Sequence, residues 1–455
     1  MRLLILTAAL MLVVAACNGV ADDDTDDVAE PDPAPTEDVA DEVPPDPTPT
    51  PTAVEDDDDA VDDDPTPTPE ADVTEDEPAD LQEAVDQVVE NVVELRGLEM
   101  VEDLEFELIT SDELRELLEE DTEIEQLEID MDWTLRLIPD RDEDIEQLLI
   151  DMQVAQVAGF YDPETQETFV ISDDDELSAM DEVILAHEIV HALQDQHFDL
   201  GLLVEPEPEY DASMALRSVI EGDAVIAQEV YAQEYLDEER MSEFQQEAMA
   251  AQQDEEAQAA MEAVPSYYME SFLFPYSAGP EFFLPMYEGD MSVFDEYLED
   301  PPVSTYQVLN GEAYRAGEID DPVDVELPDI EGRLGDDWEQ HEHGTFGVFN
   351  LFMMLNENGA EQPQVVLDGW AGGYVGFYAD ADEEHVLAAV STVWSDADEA
   401  AMFEDELAST FADYDEEDGV WTDGERYHTV IVDDDTVDLI SSTDPDALLD
   451  AAEIE

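Results

Sequence analysis

An α+β fold, rich in helix, with a small sheet and a hairpin packed beside one central helix, is what the sequence predicts. Three observations carry this reading. Apolar residues recur at helical spacing through much of residues 81–262, two strand-like runs at 157–161 and 167–172 lie directly ahead of a helix bearing two histidines, and strands alternate with helices from about residue 365. The corresponding divisions are residues 1–17, 18–79, 80–156, 157–364 and 365–455, the last a small C-terminal α/β unit.

The first division has the layout of an export signal, with Arg2, an apolar run from Leu3 to Ala15, and Cys17, the only cysteine. The run is too short to span a bilayer as a permanent helix. Val14-Ala15-Ala16-Cys17 resembles the lipobox of bacterial lipoproteins. That resemblance implies diacylation of Cys17 and an extracytoplasmic, membrane-tethered chain at the bacterial cell surface; a chance cysteine after a cleaved signal is the alternative. Residues 18–79 combine Asp runs with Pro-Thr repeats such as Pro47–Pro51 and Pro65–Pro69, and read as a disordered acidic stalk.

Charge sets the chain apart. Its 130 acidic residues face 10 basic ones, all arginine, for a net charge of -120. Nucleic acid and anionic membrane surfaces are excluded as partners, because phosphate binding needs basic patches. The stalk does not account for the excess: 25 of the acids lie in residues 18–79, leaving 105 for residues 80–455 against nine arginines. Screening at molar salt, where the Debye length is about 3 Å, relieves such self-repulsion, so the composition reads as halophilic.

From Asp80 the chain reads as folded. Leu81, Val85, Val88, Val92 and Leu95 predict an amphipathic helix ending near Arg96-Gly97, and Leu104–Ile109 alternates like a half-buried strand. Helices follow from Ser111, over 125–137 before Pro139, and from 142 to about 154. Val157–Tyr161 and Glu167–Ser172 read as strands joined by the turn Asp162-Pro163-Glu164-Thr165. An edge strand there would lie beside the next helix and could pair with an extended peptide.

That helix contains His187-Glu188-Ile-Val-His191, with Ser178 and Asp181 placed as a capping box. Residues i and i+4 lie one above the other, so both imidazoles can reach a common point, with Glu188 about 100° round the helix. Two neutral imidazoles hold Zn²⁺, and a neighbouring carboxylate can take a proton from a water bound to it. An inert, hydrogen-bonded histidine pair on a core helix is the competing reading. Catalytic zinc takes a third protein ligand, and Glu221, among Val219, Ile220 and Ile226, is the candidate; a solvent-facing Glu221 is its alternative.

His187-Glu188-x-x-His191 followed on a later helix by Glu221 resembles the gluzincin arrangement of the thermolysin-like zinc peptidases. Gly159-Phe-Tyr-Asp-Pro, Ala186–Phe198, Glu221-Gly-Asp-Ala, Pro302–Gln307 and Gly369–Tyr374 are similar to segments of a group of uncharacterised exported bacterial lipoproteins with this zincin core. The resemblance spans roughly residues 85–415. It implies a zincin-like region at 157–364, with His187, His191 and Glu221 as ligands and Glu188 as general base. Thermolysin-like enzymes carry an aspartate four residues after the third ligand, whereas Val225 stands there, so Asp223 is the nearest acid for a supporting role.

Downstream, residues to about 262 remain helical, and Tyr267–Tyr287 form an aromatic-rich stretch broken by Pro275, Gly279 and Pro285, which serves core packing or lines a cleft. A zinc hydrolase also needs a donor to the developing oxyanion, and His341, His343 and Tyr374 are the candidates. In the tail, Val386–Trp394 reads as a strand, 396–411 as a helix, and 427–432 with 436–440 as a hairpin before a helix from Asp444. The combined expectation is a lipid-anchored, extracytoplasmic zinc metallopeptidase acting on peptides or proteins. A non-catalytic surface binding or scaffolding lipoprotein on the same fold is the alternative.

Overall fold

Helix α5 (Ala179–Phe198) is the axis on which the first half of the fold is built. The computed structural model describes residues 7–10, 77–172, 177–198, 210–335 and 337–454. Cys17, residues 18–76 of the expected stalk and most of the export signal lie outside these residues, while the last three stalk residues, 77–79, open the first helix. Thr7–Leu10 and everything from Pro78 onward belong to one compact unit, so the anticipated divisions at 157 and 365 fall inside it. No helix among the described residues is long and apolar enough to cross a membrane.

Helix α1 (Glu77–Arg96) ends at Gly97, whose φ of 72° suits a residue without a Cβ. Strand β2 (Glu105–Ile109) precedes α2 (Ser111–Asp121), which opens on a capping box between Thr110 and Glu113. Helix α3 (Gln126–Thr134) is shorter than its pattern suggests. Arg136 takes a φ of 64° and turns the chain, placing its guanidinium 2.8 Å from Thr410 Oγ1 and over the Phe411 ring. Helix α4 (Ile145–Gln156) leads into β3 (Val157–Asp162) and β4 (Glu167–Ile171). Asp162 holds their turn by accepting from Glu164 N at 2.8 Å and Thr165 Oγ1 at 2.9 Å.

β3 and β4 are antiparallel and β2 runs parallel to β4. Thr7–Leu10, strand β1, pairs antiparallel with the free side of β3, Ala9 opposite Gly159, giving the order β1-β3-β4-β2. One side of the expected signal run thus forms an extended strand. Helices α6 (Tyr210–Tyr235), α7 (Glu238–Ala251), α8 (Glu255–Ala263) and α9 (Ser266–Phe283) follow. Val183, Ile184, Val190 and Leu193 of α5 share a core with Val219, Ile220 and Phe282.

The aromatic stretch is one continuous helix through Phe283, with Pro275 and Pro280 inside α9, and breaks only at Pro285. Tertiary contact overrides the local penalty of about 3 kcal/mol for an internal proline. Its Gly279 meets Gly222 of α6 backbone to backbone: a Cβ on Gly279 would lie 1.9 Å from Ser218 O. Phe282 and Phe283 are buried beyond the crossing, so most of these rings serve the core.

Four short helices, α10 (Asp295–Glu299), α11 (Thr305–Leu309), α12 (Gly311–Arg315) and α13 (Ile330–Leu334), lead to a second sheet. Its strands are β5 (Trp338–Thr345), β6 (Trp370–Asp380), β7 (Val386–Trp394), β8 (Asp415–Glu417), β9 (Val420–Thr422), β10 (Tyr427–Asp433) and β11 (Thr436–Ser442). The order is β5-β6-β7-β11-β10-β9-β8, antiparallel throughout. Helices α14 (Val348–Glu357), α15 (Ala397–Ser409) and α16 (Pro445–Ala452) pack with it. The sheet starts at 338, so the division expected at 365 cuts through it. Both halves together are α+β.

Candidate metal centre

The centre begins with the start of α5. Ser178 Oγ accepts from Asp181 N at 3.1 Å and Asp181 Oδ2 accepts from Ser178 N at 2.9 Å, the reciprocal cap its sequence anticipates. Two turns on, His187 and His191 share one face, their Nε2 atoms 3.0 Å apart. Helix α6 crosses there and brings Glu221 Oε2 to 3.2 Å from His187 Nε2 and 3.4 Å from His191 Nε2. A tetrahedral ion with bonds of about 2.0 Å has ligand-to-ligand edges of about 3.3 Å, and these three separations match it. His187 and His191 are 0% exposed and Glu221 5%. Among the described residues these three alone group as metal ligands.

The surrounding hydrogen bonds fix what the ring nitrogens offer. Gln194 Nε2 donates to Ile220 O at 3.1 Å and to Asp223 Oδ2 at 2.8 Å, so its Oε1, 2.9 Å from His191 Nδ1, can only accept. His191 therefore carries its proton on Nδ1. Gln228 Oε1 lies 3.0 Å from His187 Nδ1 and accepts there when that nitrogen carries the proton. With both rings neutral and protonated on Nδ1, the two Nε2 lone pairs and the Glu221 carboxylate are three acceptors converging on one point. A cation satisfies such a set, and the triad can hold a metal ion.

A proton is the weaker substitute, and the acid-base properties reflect it. Burial lowers the pKa of His187. At His191 burial also opposes charge, but the Glu221 carboxylate outweighs it and pushes the pKa up to about 9. Burial would raise Glu221; the two imidazoles instead pull it down to about 2.

Asp223 supports the centre from one residue further out. It receives Gln194, which orients His191, and Arg96 of α1 lies against it with Nε 2.8 Å from Oδ1, both side chains buried. Arg96 also reaches Asp295 Oδ1 at 2.7 Å. Sequence reading placed Asp223 in a supporting role but missed Gln194 and Gln228. Their spacing was the available signal: Gln194 lies one turn after His191, and Gln228 two turns after Glu221, on the same faces. Replacing Gln228 with leucine is expected to weaken metal affinity roughly 10–100-fold, read by competitive titration against a chelator. Unchanged affinity would show that Gln228 does not hold the ring.

Glu188 is fully buried and stands beside the ligands, not among them. Its Cγ lies against β3, 3.3 Å from where a Cβ on Gly159 would sit, and that Cβ would also be 2.6 Å from Ile184 Cγ2. Glycine at 159 is what lets α5 approach the strand so closely. Tyr276 of α9 donates its hydroxyl to Glu221 Oε1 at 3.2 Å and its ring stacks on His187 with centroids 6.5 Å apart. The Gly222–Gly279 crossing sets this contact, since each glycine lies within one turn of one partner.

The three candidate oxyanion donors lie on the second sheet. His343 on β5 and Tyr374 on β6 bond to each other, Nδ1 to Oη at 2.6 Å, while His341 is exposed. Neither β5 nor β6 was legible as a strand. Tyr276 was read only as one aromatic among many.

Residues 333–452 match the model of a family described as a domain of unknown function (DUF8575). The matched stretch takes in the whole second sheet and none of the metal-ligand triad. No curated protein and no solved structure matches the chain.

Proposed function

We propose that the chain is a zinc-dependent metallopeptidase of gluzincin type on a zincin-like core, exported and tethered through Cys17. The observation that carries this reading is the convergence of two imidazole nitrogens and a carboxylate oxygen, at tetrahedral spacing, with the Glu188 carboxylate on the next residue of the same helix. Two imidazoles and one carboxylate are the donor set of an open catalytic zinc site, and zinc bound there supplies Lewis acidity and lowers the pKa of a water.

The chain's own residues do the rest. His187, His191 and Glu221 would hold the ion, with Gln194 fixing the tautomer of His191 and Gln228 bonded to His187 Nδ1. Glu188 takes the proton of the attacking water and passes it to the leaving amine. Tyr276 Oη, at the edge of the ligand set, replaces His341, His343 and Tyr374 as the donor to the developing oxyanion. Once the export signal is removed, the side of β3 that Thr7–Leu10 occupies takes the peptide as an added strand beside Glu188. Pairing of Thr7–Leu10 along that side, with Ala9 opposite Gly159, supports this.

A second reading rests on burial. His187, Glu188 and His191 at 0% exposure also suit a closed site in a non-catalytic binding or scaffolding lipoprotein. Purification in molar salt, metal analysis, and assay on an unfolded protein separate the two. The metallopeptidase gives one zinc per chain and cleavage that a chelator stops and zinc restores. Bound zinc with no cleavage of any unfolded protein supports the second reading, and a chain that takes up no metal sinks both.

A further inference from the structure

A cleft of about 250 Å³ lies on the second sheet, between β5, β6 and the segment entering α13. None of the residues of the metal centre lines it. Its polar lining is Asp329, Glu331, Gln340, His343, Tyr374 and Tyr378. The tyrosine on its floor is the telling residue. Tyr378 is 3% exposed, and among the described residues its hydroxyl has no hydrogen-bond partner. The ring is buried while the hydroxyl opens on the cleft, so it is free to bond a group that enters from outside the fold.

The walls show that the space is built rather than left over. A Cβ on Gly376 would lie 2.6 Å from Leu327 Cδ1, 3.0 Å from Tyr378 Oη and 3.1 Å from Gln340 Nε2, so glycine keeps the floor open. Tyr374 is held by its bond to His343 and by stacking on that ring, centroids 5.9 Å apart. Burial, then Glu331, Tyr374 and Asp329, push the Tyr378 pKa up to about 12, which places the field of both carboxylates at its hydroxyl.

Chemistry narrows the occupant. No arginine lines the cleft, and an anion would meet two carboxylates in a chain of net charge -120. An inorganic cation needs convergent ligand atoms, and His343, Asp329 and Glu331 do not group as metal ligands. Aromatic rings, carboxylates and an acceptor hydroxyl suit a cation that has N–H donors and an apolar body. We propose that this cleft binds a compact organic ammonium ion, its body against Tyr374 and Tyr378, its N–H groups shared between the Tyr378 hydroxyl and the carboxylates of Asp329 and Glu331. The site is independent of the metal centre.

The test titrates isopentylamine, protonated at neutral pH, and isopentanol, its neutral counterpart, into the full chain by calorimetry. Saturable one-site binding of the amine and none of the alcohol is expected. Tyr378→Phe, which keeps the ring and removes only the hydroxyl, and the Asp329→Asn/Glu331→Gln double variant should each weaken binding roughly ten-fold. Glu188→Gln should bind the amine like the parent. Equal binding of the alcohol would reduce the cleft to an apolar hole and overturn the proposal. So would uptake that never saturates, or binding indifferent to both cleft variants, since either is the ion atmosphere of an acidic protein.

Discussion

Glu188→Gln is expected to keep the metal and to lose peptide hydrolysis by at least about 10²–10⁴-fold. The amide has the shape of the carboxylate and fits the same fully buried position against Gly159. It cannot accept a proton from water at neutral pH. Because Glu188 is not one of the three residues that group as ligands, affinity for the ion should stay near parental. Metal content and single-turnover cleavage, measured on one preparation, decide the matter. Parental turnover in this variant would remove the general base from the mechanism, and loss of the metal would make Glu188 a ligand.

The second large effect is expected at the helix crossing. Gly279→Ala puts a Cβ 1.9 Å from Ser218 O, and backbone cannot give way as the end of a side chain can. Helices α6 and α9 must part. Overpacking of this kind costs about 1–3 kcal/mol or more, and each kcal/mol is worth about 2–4 °C of melting temperature in a domain of 150–250 residues. Glu221 and Tyr276 sit on the two helices that separate, so metal affinity should fall together with stability. A variant that melts within a degree of the parent and binds metal as tightly would show that the crossing is looser than its glycines indicate.

The sequence was most readable where one local pattern decided the structure. Ser178 with Asp181, the i and i+4 histidines and the hairpin before them all formed as their spacing requires. Glu221 was legible because a carboxylate in apolar company needs a partner. Gln194 and Gln228 were not, since a neutral amide is ordinary on any helix and only the crossing of α5 with α6 gives these two their role. Strands β5 and β6 were hidden for another reason. His341 and His343 drew attention to chemistry in a strand whose outward residues are polar, and Gly372, Gly373 and Gly376 look like a loop until close approach of Val323, Phe346 and Leu327 explains them. Helix α9 defied its prolines because a Gly–Gly contact is invisible until two distant helices are laid together.

Arg96 ties the first long helix to the His187-His191-Glu221 triad through Asp223 and Gln194. Its guanidinium is what makes a second buried carboxylate tolerable behind His191, since an unmatched charge there would cost several kcal/mol, about 3–5 by the usual penalty for breaking such a pair. All three side chains that can hold an ion come from later in the chain, yet the residues behind them are braced by the last residue of the opening helix. A polypeptide that began after Gly97 would carry all three side chains of the triad and still lack this counter-ion, so it is expected to hold an ion less well than the full chain.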